Sequence, residues 1–549
     1  MERGLTPLAL TSTKFNPFAS IVLGFSCLVG FATSASANPQ QEVGIQVGIV
    51  QRFGDHTKDT MTLKANQGDR LTLRFDSNGK PETLSAQEIK LETTMQRLSQ
   101  PVVEERIVFS THRSFETAED QAQEWRAQGI EVEIAQPERW QVWAKRDTYN
   151  TPLLRRLLLK SLQAKGIQTA RIESKVIQEV PRPTWVLNGF RYTRDVVDIS
   201  SRSGVIQVDR EKDDNPNRPY GGALRIQPNA YGNYTLVNFV GVETYLRGVV
   251  PHEIGTWAPQ PVLEAQAVLA RTYALRNVRR FVIDNYQMCA TTQCQVYRGL
   301  EGAEASTDLA IAATRGLVLT YQNELVDAVY SSTSGGITAG FNDIWHGWDR
   351  PYLKAVVDSV NPVWDLPARN LSDERNFRAF INQKKGFNED GTDMFRWRYE
   401  VPLAQLNQEL REYLKAVRHP LVNFKTIQNI QITQRSKGGR ILKAAIVTDA
   451  GTIELEKDDI QTVFEAPAST LFYVDAMIEK NKALKGFIFT GGGFGHGVGM
   501  SQFGSYNLGK LGWSSDRILS FYFPGTQLQP INNSITLWRD RSNEQASNR

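Results

Sequence analysis

The sequence predicts a multidomain α+β protein. Three observations support this: short β-like runs separated by turn residues near the start, a strand–helix–strand pattern that occurs twice, and a long, almost wholly apolar helix inside a larger mixed region. The 549 residues are 41% hydrophobic and 22% charged, an ordinary globular composition that gives no support to a disordered or fibrous chain. The length suggests roughly three or four domains. The formal net charge is +4, and Lys and Arg are scattered rather than massed, so no nucleic-acid partner is implied.

Residues 1–37 have the layout of a secretion signal, with Arg3 and Lys14, an apolar run from Phe18 to Phe31, and Ala35-Ser36-Ala37 as a small-residue cleavage site. An uncleaved anchor is the alternative. No later run offers the roughly 18 to 20 continuous apolar residues of a bilayer span, so no membrane contact is expected after cleavage. Residues 42–100 read as a small β-rich module, with runs such as Gly44–Val50 and Leu71–Phe75 between Gly, Asp and Asn turns.

Residues 101–178 carry the doubled pattern. "RIVFS", a helical stretch over Thr117–Gln128, Gly129 and "IEVEIA" are followed by "WQVWA", a helical stretch over Pro152–Lys165, Gly166 and a strand near Ala170–Val176. Gly129 and Gly166 stand where helix C-termini favour positive φ. Two such halves make one four-stranded sheet with two helices. In pattern this block resembles the SPOR (sporulation-related repeat) domain, whose members bind glycan strands stripped of peptides. A spacer with the same common fold is the competing interpretation.

After Pro181 and Pro183, residues 182–540 read as one large α+β domain. A helix is predicted from Pro261 to Phe281, with Pro261 suited to a first turn. Its apolar positions, from Leu263 to Leu275, leave almost no polar face, so it is expected to be buried on most sides. Helical and strand-like segments from Ala368 to Lys485 follow, and then a Gly-rich loop and a closing helix.

Two stretches hold the chemistry. In "VETYLRGVVPHEIGTWAPQPVLEAQAVLARTYAL", Glu253 sits in a turn between apolar segments just ahead of the long helix. A carboxyl group desolvated in this way has a raised pKa and can remain protonated as a general acid near neutrality. In "FIFTGGGFGHGVGMSQFG", glycines surround His496, with Ser501 and Gln502 nearby. No Lys-Ser/Thr pair follows these glycines, which argues against a phosphate cradle. A loop with so little side-chain bulk instead lets a polymer lie against polar groups, although tight packing alone would also select such glycines. Between the two stretches lies "YSSTSGGITAGFNDIWHG".

The segments "YLRGVVPHEI", "EAQAVLARTYAL", "YSSTSGG" and "GGGFGHGVGMSQFG" resemble, in order and context, the SpoIID/LytB family over roughly Gly189–Leu537. The resemblance implies a secreted, periplasmic or cell-wall protein that acts in peptidoglycan remodelling. It also implies either a lytic transglycosylase with Glu253 as its catalytic acid or a LytB-type amidase enhancer. Gln266, Arg271, Tyr273, Ser334, Gly335, His496, Ser501 and Gln502 are then expected around a glycan groove, and Trp257, Trp345, Trp348 and Phe494 are available to stack on sugars or to pack the core. A hydrolytic muramidase, with Asp343, Asp349 or Asp358 as second carboxylate, is a further alternative. Expected partners are peptidoglycan glycan strands and a cell-wall amidase. Cys289 and Cys294 read as a disulfide, the default for two close cysteines in an oxidising compartment. Some family members bind zinc near this segment, but here it retains only the two cysteines, so no metal and no cofactor is expected.

Overall fold

The computed structural model describes residues 42–210, 217–480 and 482–540; the expected secretion segment, residues 1–37, lies outside them. The architecture is α+β. A seven-stranded sheet runs in the order Met288–Cys289, Gly44–Phe53, Tyr234–Gly241, Ala223–Pro228, Val197–Ser201, Leu71–Ser77, Lys80–Ala86. It is antiparallel except where Gly48 pairs with Cys289 at the edge. In Leu71–Ser77 the buried residues are Leu71, Leu73 and Phe75, so the period-2 alternation of the sequence puts one apolar face on the core.

A second sheet runs in the order Arg218–Gly221, Val205–Asp209, Thr60–Ala65, Glu88–His112, Trp140–Ala144, Val132–Ala135, with Arg171–Leu187 also paired to Glu88–His112. Strands from 42–100 thus pair directly with strands from 197–241 in both sheets and share their apolar core. The 42–100 stretch is built into the large unit.

The strands Glu88–His112 and Arg171–Leu187 form a long ribbon that leads into the doubled block. There, strands of 171–187, 88–112, 140–144 and 132–135 lie side by side, and helices Phe115–Ala127 and Pro152–Ala164 complete the block. Ile107 and Phe109 join one apolar cluster with Phe115 and Trp125, while Val108, Ala135 and Trp143 pack with Tyr231 and Ile283 of the large unit. By strand alternation these are opposite faces. The block therefore packs against the large unit on both faces, since Val237, Phe281, Tyr286 and Cys289 belong to the first of these clusters.

The long helix spans Gln260–Arg276 and buries every residue from Ala265 to Arg276. It ends five residues before the predicted Phe281, because Asn277 folds back and its side-chain amide donates to the Tyr273 carbonyl. Its buried cations are paired internally: Arg271 with Glu243 at 2.7 Å, and Arg276 with Asp327 at 2.8 Å and Glu324 at 2.9 Å. Such pairing is what makes charges tolerable in an apolar helix.

Residues 339–499 add two further apolar clusters. One three-stranded sheet holds Trp397–Pro402, Leu484–Gly491 and Phe472–Ile478; another holds Ile427–Arg435, Ile441–Thr448 and Gly451–Glu456. The chain then returns to the large unit where Met500–Ser501 pairs in parallel with Tyr330–Ser331.

Candidate functional site

Glu253 lies on a single helical turn, Val250–Ile254, with Pro251 in its first turn and Gly255, at φ 78°, ending it. Proline has no N–H to leave unpaired there, and the positive φ of Gly255 ends the helix two residues after Glu253. Two contacts fix this turn from behind: the Gln502 amide donates to the Glu253 carbonyl at 2.7 Å, and the Tyr506 hydroxyl donates to the Ile254 carbonyl.

The carboxylate faces a cleft of about 500 Å³ and is largely enclosed by protein. Its Oε1 accepts the Val296 N–H at 2.7 Å, and the Tyr330 hydroxyl donates to it as well. Burial raises its pKa from 4.5 to about 7, against the lowering effect of these two donors. Tyr330 is held in turn: the Gln295 amide donates to its hydroxyl at 3.0 Å, and the Tyr245 hydroxyl donates to Gln295 Oε1 at 3.2 Å. Cys289 and Cys294 are disulfide-bonded. Because Cys289 is also paired into the sheet edge, the segment carrying Gln295 and Val296 is tethered at its start.

His496 lines the same cleft. Its Nδ1 accepts the Val498 N–H at 3.0 Å, and the ring also bonds the Tyr330 carbonyl. Burial, aided by the nearby Arg440, lowers its pKa to about 4. It is therefore neutral at pH 7, and both ring nitrogens are engaged in holding the loop. Trp345 packs against it at 5.0 Å. Two residues before it, Phe494 projects into the cleft mouth and is 50% exposed. Gly493 and Gly495, at φ 86° and 97°, flank it. A Cβ at Gly493 would lie 3.0 Å from the Ser334–Gly335 backbone, so glycine is needed both for the turn and for the close approach.

Of the residues expected around a groove, the cleft lining includes Glu253, Tyr273, His496 and Gln502. Arg271 does not reach it, since it is fully buried on Glu243 and the Leu317 carbonyl. Ser334, Gly335 and Ser501 also lie behind the wall. The backbone amides of Ser334, Gly335 and Gly336 all donate to the Glu389 carboxylate, and the Ser501 hydroxyl donates to it at 2.5 Å. These residues knit the 330–336 and 500–502 loops together. Gln266 is fully buried, and its amide has no hydrogen-bond partner among the described residues. Trp257 is exposed and packs on Tyr506, and Trp348 lies under the Arg350 guanidinium.

Asp343, Asp349 and Asp358 are outside the cleft lining; the carboxyl groups beside Glu253 there are Glu116 and Asp458. Glu116 is paired with Arg280. Asp458 has its pKa raised to about 7 by burial and by the neighbouring Asp459. Sequence reasoning passed over these residues together with Tyr330 and Gln295. Tyr330 stands at the head of "YSSTSGG", and its place in that motif is the one signal that could have singled it out. Glu116 sits in the doubled block, more than a hundred residues before Glu253, and nothing local marks it.

A family described as "Stage II sporulation protein" matches residues 230–321, the segment that carries Glu253 and the long helix. A family described as "Domain of unknown function (DUF8618)" matches residues 339–499, which carry Phe494 and His496. The chain is 26% identical over 66% of its length to a protein named "Amidase enhancer" from Bacillus subtilis (strain 168), and the match spans 53% of that relative, about half its length. It is 27% identical over 53% of its length to "Stage II sporulation protein D" of the same organism, covering 75% of it, and 26% identical over 55% to the Bacillus amyloliquefaciens protein of that name, covering 78%. The matched segments contain both halves of the cleft around Glu253, and over them the chain is similar to the SpoIID/LytB family.

Proposed function

We propose that the protein is an exported peptidoglycan lytic transglycosylase that cleaves the MurNAc–GlcNAc bond of glycan strands from which stem peptides have been removed. The observation that carries this reading is Glu253: an enclosed carboxyl group with a pKa near 7, lining an open cleft and aimed by two hydrogen-bond donors. At neutral pH a large fraction is protonated, as a general acid requires.

Glycoside hydrolysis ordinarily needs two carboxyl groups because a water must be activated. Transglycosylation needs no water. Glu253 gives its proton to the glycosidic oxygen as the C1–O bond breaks, and the GlcNAc hydroxyl departs. The 6-hydroxyl of the same MurNAc attacks C1, closing a 1,6-anhydro ring, and its proton returns to the Glu253 carboxylate. The tethered nucleophile gains greatly in effective concentration. Val296 and Tyr330 hold the carboxylate through both states. Gln502 orients the turn that carries it.

Export to the periplasm or cell wall agrees with the signal-like residues 1–37 and with the Cys289–Cys294 disulfide. No helix among the described residues is long and apolar enough to cross a membrane.

The test is mass spectrometry of peptide-free glycan strands digested by the wild type and by Glu253→Gln. Anhydro ends from the wild type alone are expected. Reducing ends that incorporate labelled water would point to a muramidase instead. The relative named "Amidase enhancer" favours a second reading, a glycan-binding activator of a cell-wall amidase; cleavage by neither protein, with an amidase stimulated equally by both, would establish it.

A further inference from the structure

The cleft at Glu253 does not end at Phe494. Arg113, Gln461 and Phe494 line it and also line a second groove of about 980 Å³, so the two adjoin. The second groove runs between the doubled block, through Arg113 and Arg139, and the 339–499 region, through Tyr399, Tyr413 and the acidic Glu409 and Glu412. Its two sides are fastened to each other: Arg113 donates to the Asp458 carbonyl and the Thr462 hydroxyl, both at 3.1 Å, and Arg139 lies 3.6 Å from Asp459.

We propose that this groove is an extended saccharide-binding track, in which further sugars of the same glycan strand lie beyond the pair cleaved at Glu253. The proposal rests on the transglycosylase reading for its substrate class. Large aromatic faces left open on fixed supports are its first argument. Phe494 is 50% exposed on a loop that Gly493 holds against 334–335, and Tyr399 is 36% exposed with its other face stacked on Trp397 at 5.3 Å. Such faces suit the apolar C–H side of a sugar ring, and a preset geometry limits the ordering cost of binding.

Charge is the second argument. A strand freed of its peptides exposes a lactyl carboxylate on each MurNAc, which Arg139 on one side can meet, since its guanidinium has more donors than the 3.6 Å contact to Asp459 takes up. On the other side the carboxylates of Glu409 and Glu412 are acceptors for sugar hydroxyls. The shared rim with the cleft at Arg113, Gln461 and Phe494 is the third. One polymer can occupy both grooves without leaving the surface.

The test measures binding of the full chain carrying Glu253→Gln, so that nothing is cut, to purified peptide-free glycan fragments of two lengths: tetrasaccharides and strands of a dozen or more sugars. Tyr399→Ala and Arg139→Gln, each added to it, are expected to lower the ratio of long-strand to short-strand affinity about ten-fold. Phe494→Ala, at the junction, is expected to weaken both lengths. Thermal unfolding of each variant separates lost contacts from lost fold. An unaltered affinity ratio in correctly folded Tyr399→Ala and Arg139→Gln overturns the track. So does an unaltered ratio accompanied by weaker stimulation of an amidase, which would assign the groove to a protein partner. The track and the reaction fail separately: length-dependent binding without anhydro products sinks the reaction alone, and anhydro products with no length dependence sink the track alone.

Discussion

Two glutamates, Glu253 and Glu389, touch the same pair of loops, and their carboxyl groups sit in opposite environments. Glu389 is fully buried and accepts three consecutive backbone amides and the Ser501 hydroxyl. Glu253 faces the cleft with one backbone amide and one tyrosine hydroxyl, and its pKa is driven up to about 7 by burial. A carboxylate surrounded by donors works as a rivet. One that is desolvated and only partly satisfied keeps its proton near neutrality and is ready to give it up.

The sharpest way to break this contrast is to neutralise each group in turn. Glu253→Gln is expected to lower glycan cleavage by roughly 10²- to 10⁴-fold while the fold persists. Glu389→Gln sets a second amide against the backbone donors and is expected to cost roughly 3 kcal/mol of stability, read in denaturant unfolding. The pH dependence carries a further sign. Because the folded pKa of Glu253 lies above its ordinary 4.5, the stability linked to its proton is complete below about pH 4.5 and is lost as pH rises through about 7. Glu253→Gln escapes that loss. It should match the wild type at pH 4 and exceed it at pH 8.5 by about 1–3 kcal/mol, measured by melting at both pH values. A mutant less stable than the wild type at pH 8.5 would make Glu253 a rivet too.

A smaller effect is expected from the disulfide. Replacing both Cys289 and Cys294 with serine opens a link between residues five apart, worth about 2 kcal/mol in the loop-closure account. The consequence for Glu253 is specific, because the freed segment carries the Val296 amide, which lowers the carboxyl pKa. The alkaline limb of activity should move up in pH. Loss of stability with an unmoved limb would show that the loop does not tune the acid.

The α+β class and the strand–helix–strand doubling were legible because period and turn chemistry are local. The turn carrying Glu253 was legible for the same reason, since Pro251, Gly255 and the apolar flanks lie within a few residues of it. The pairing of Gly44–Phe53 with Tyr234–Gly241 was not, because either strand alternates equally well in a separate module. Arg271 misled for a related reason: in sequence it is a cation in a motif, and only the fold brings Glu243 to it. Ser334 and Ser501 belong to segments that do form the cleft wall, yet a loop has two sides, and the register that turns them toward Glu389 depends on residues 389 and 358 from another part of the chain.

Tyr330→Phe probes the narrowest part of the contrast. The change removes one hydroxyl that donates to Glu253 and accepts from Gln295, and leaves the ring in its buried site. Without that donor the carboxylate is less well stabilised, so the pKa of Glu253 should rise above about 7 and the alkaline limb of kcat/KM should shift upward. Rate at the optimum should fall by only about three- to ten-fold, in line with one lost hydrogen bond, because Val296 still aims the carboxylate. The two readouts move in opposite directions at high pH, where a larger protonated fraction offsets poorer positioning. A residue that merely packs would lower the rate equally at every pH. A limb that stays fixed in Tyr330→Phe, measured from pH 5 to 9, therefore removes Tyr330 from contact with the acid and leaves the Val296 amide alone to hold it.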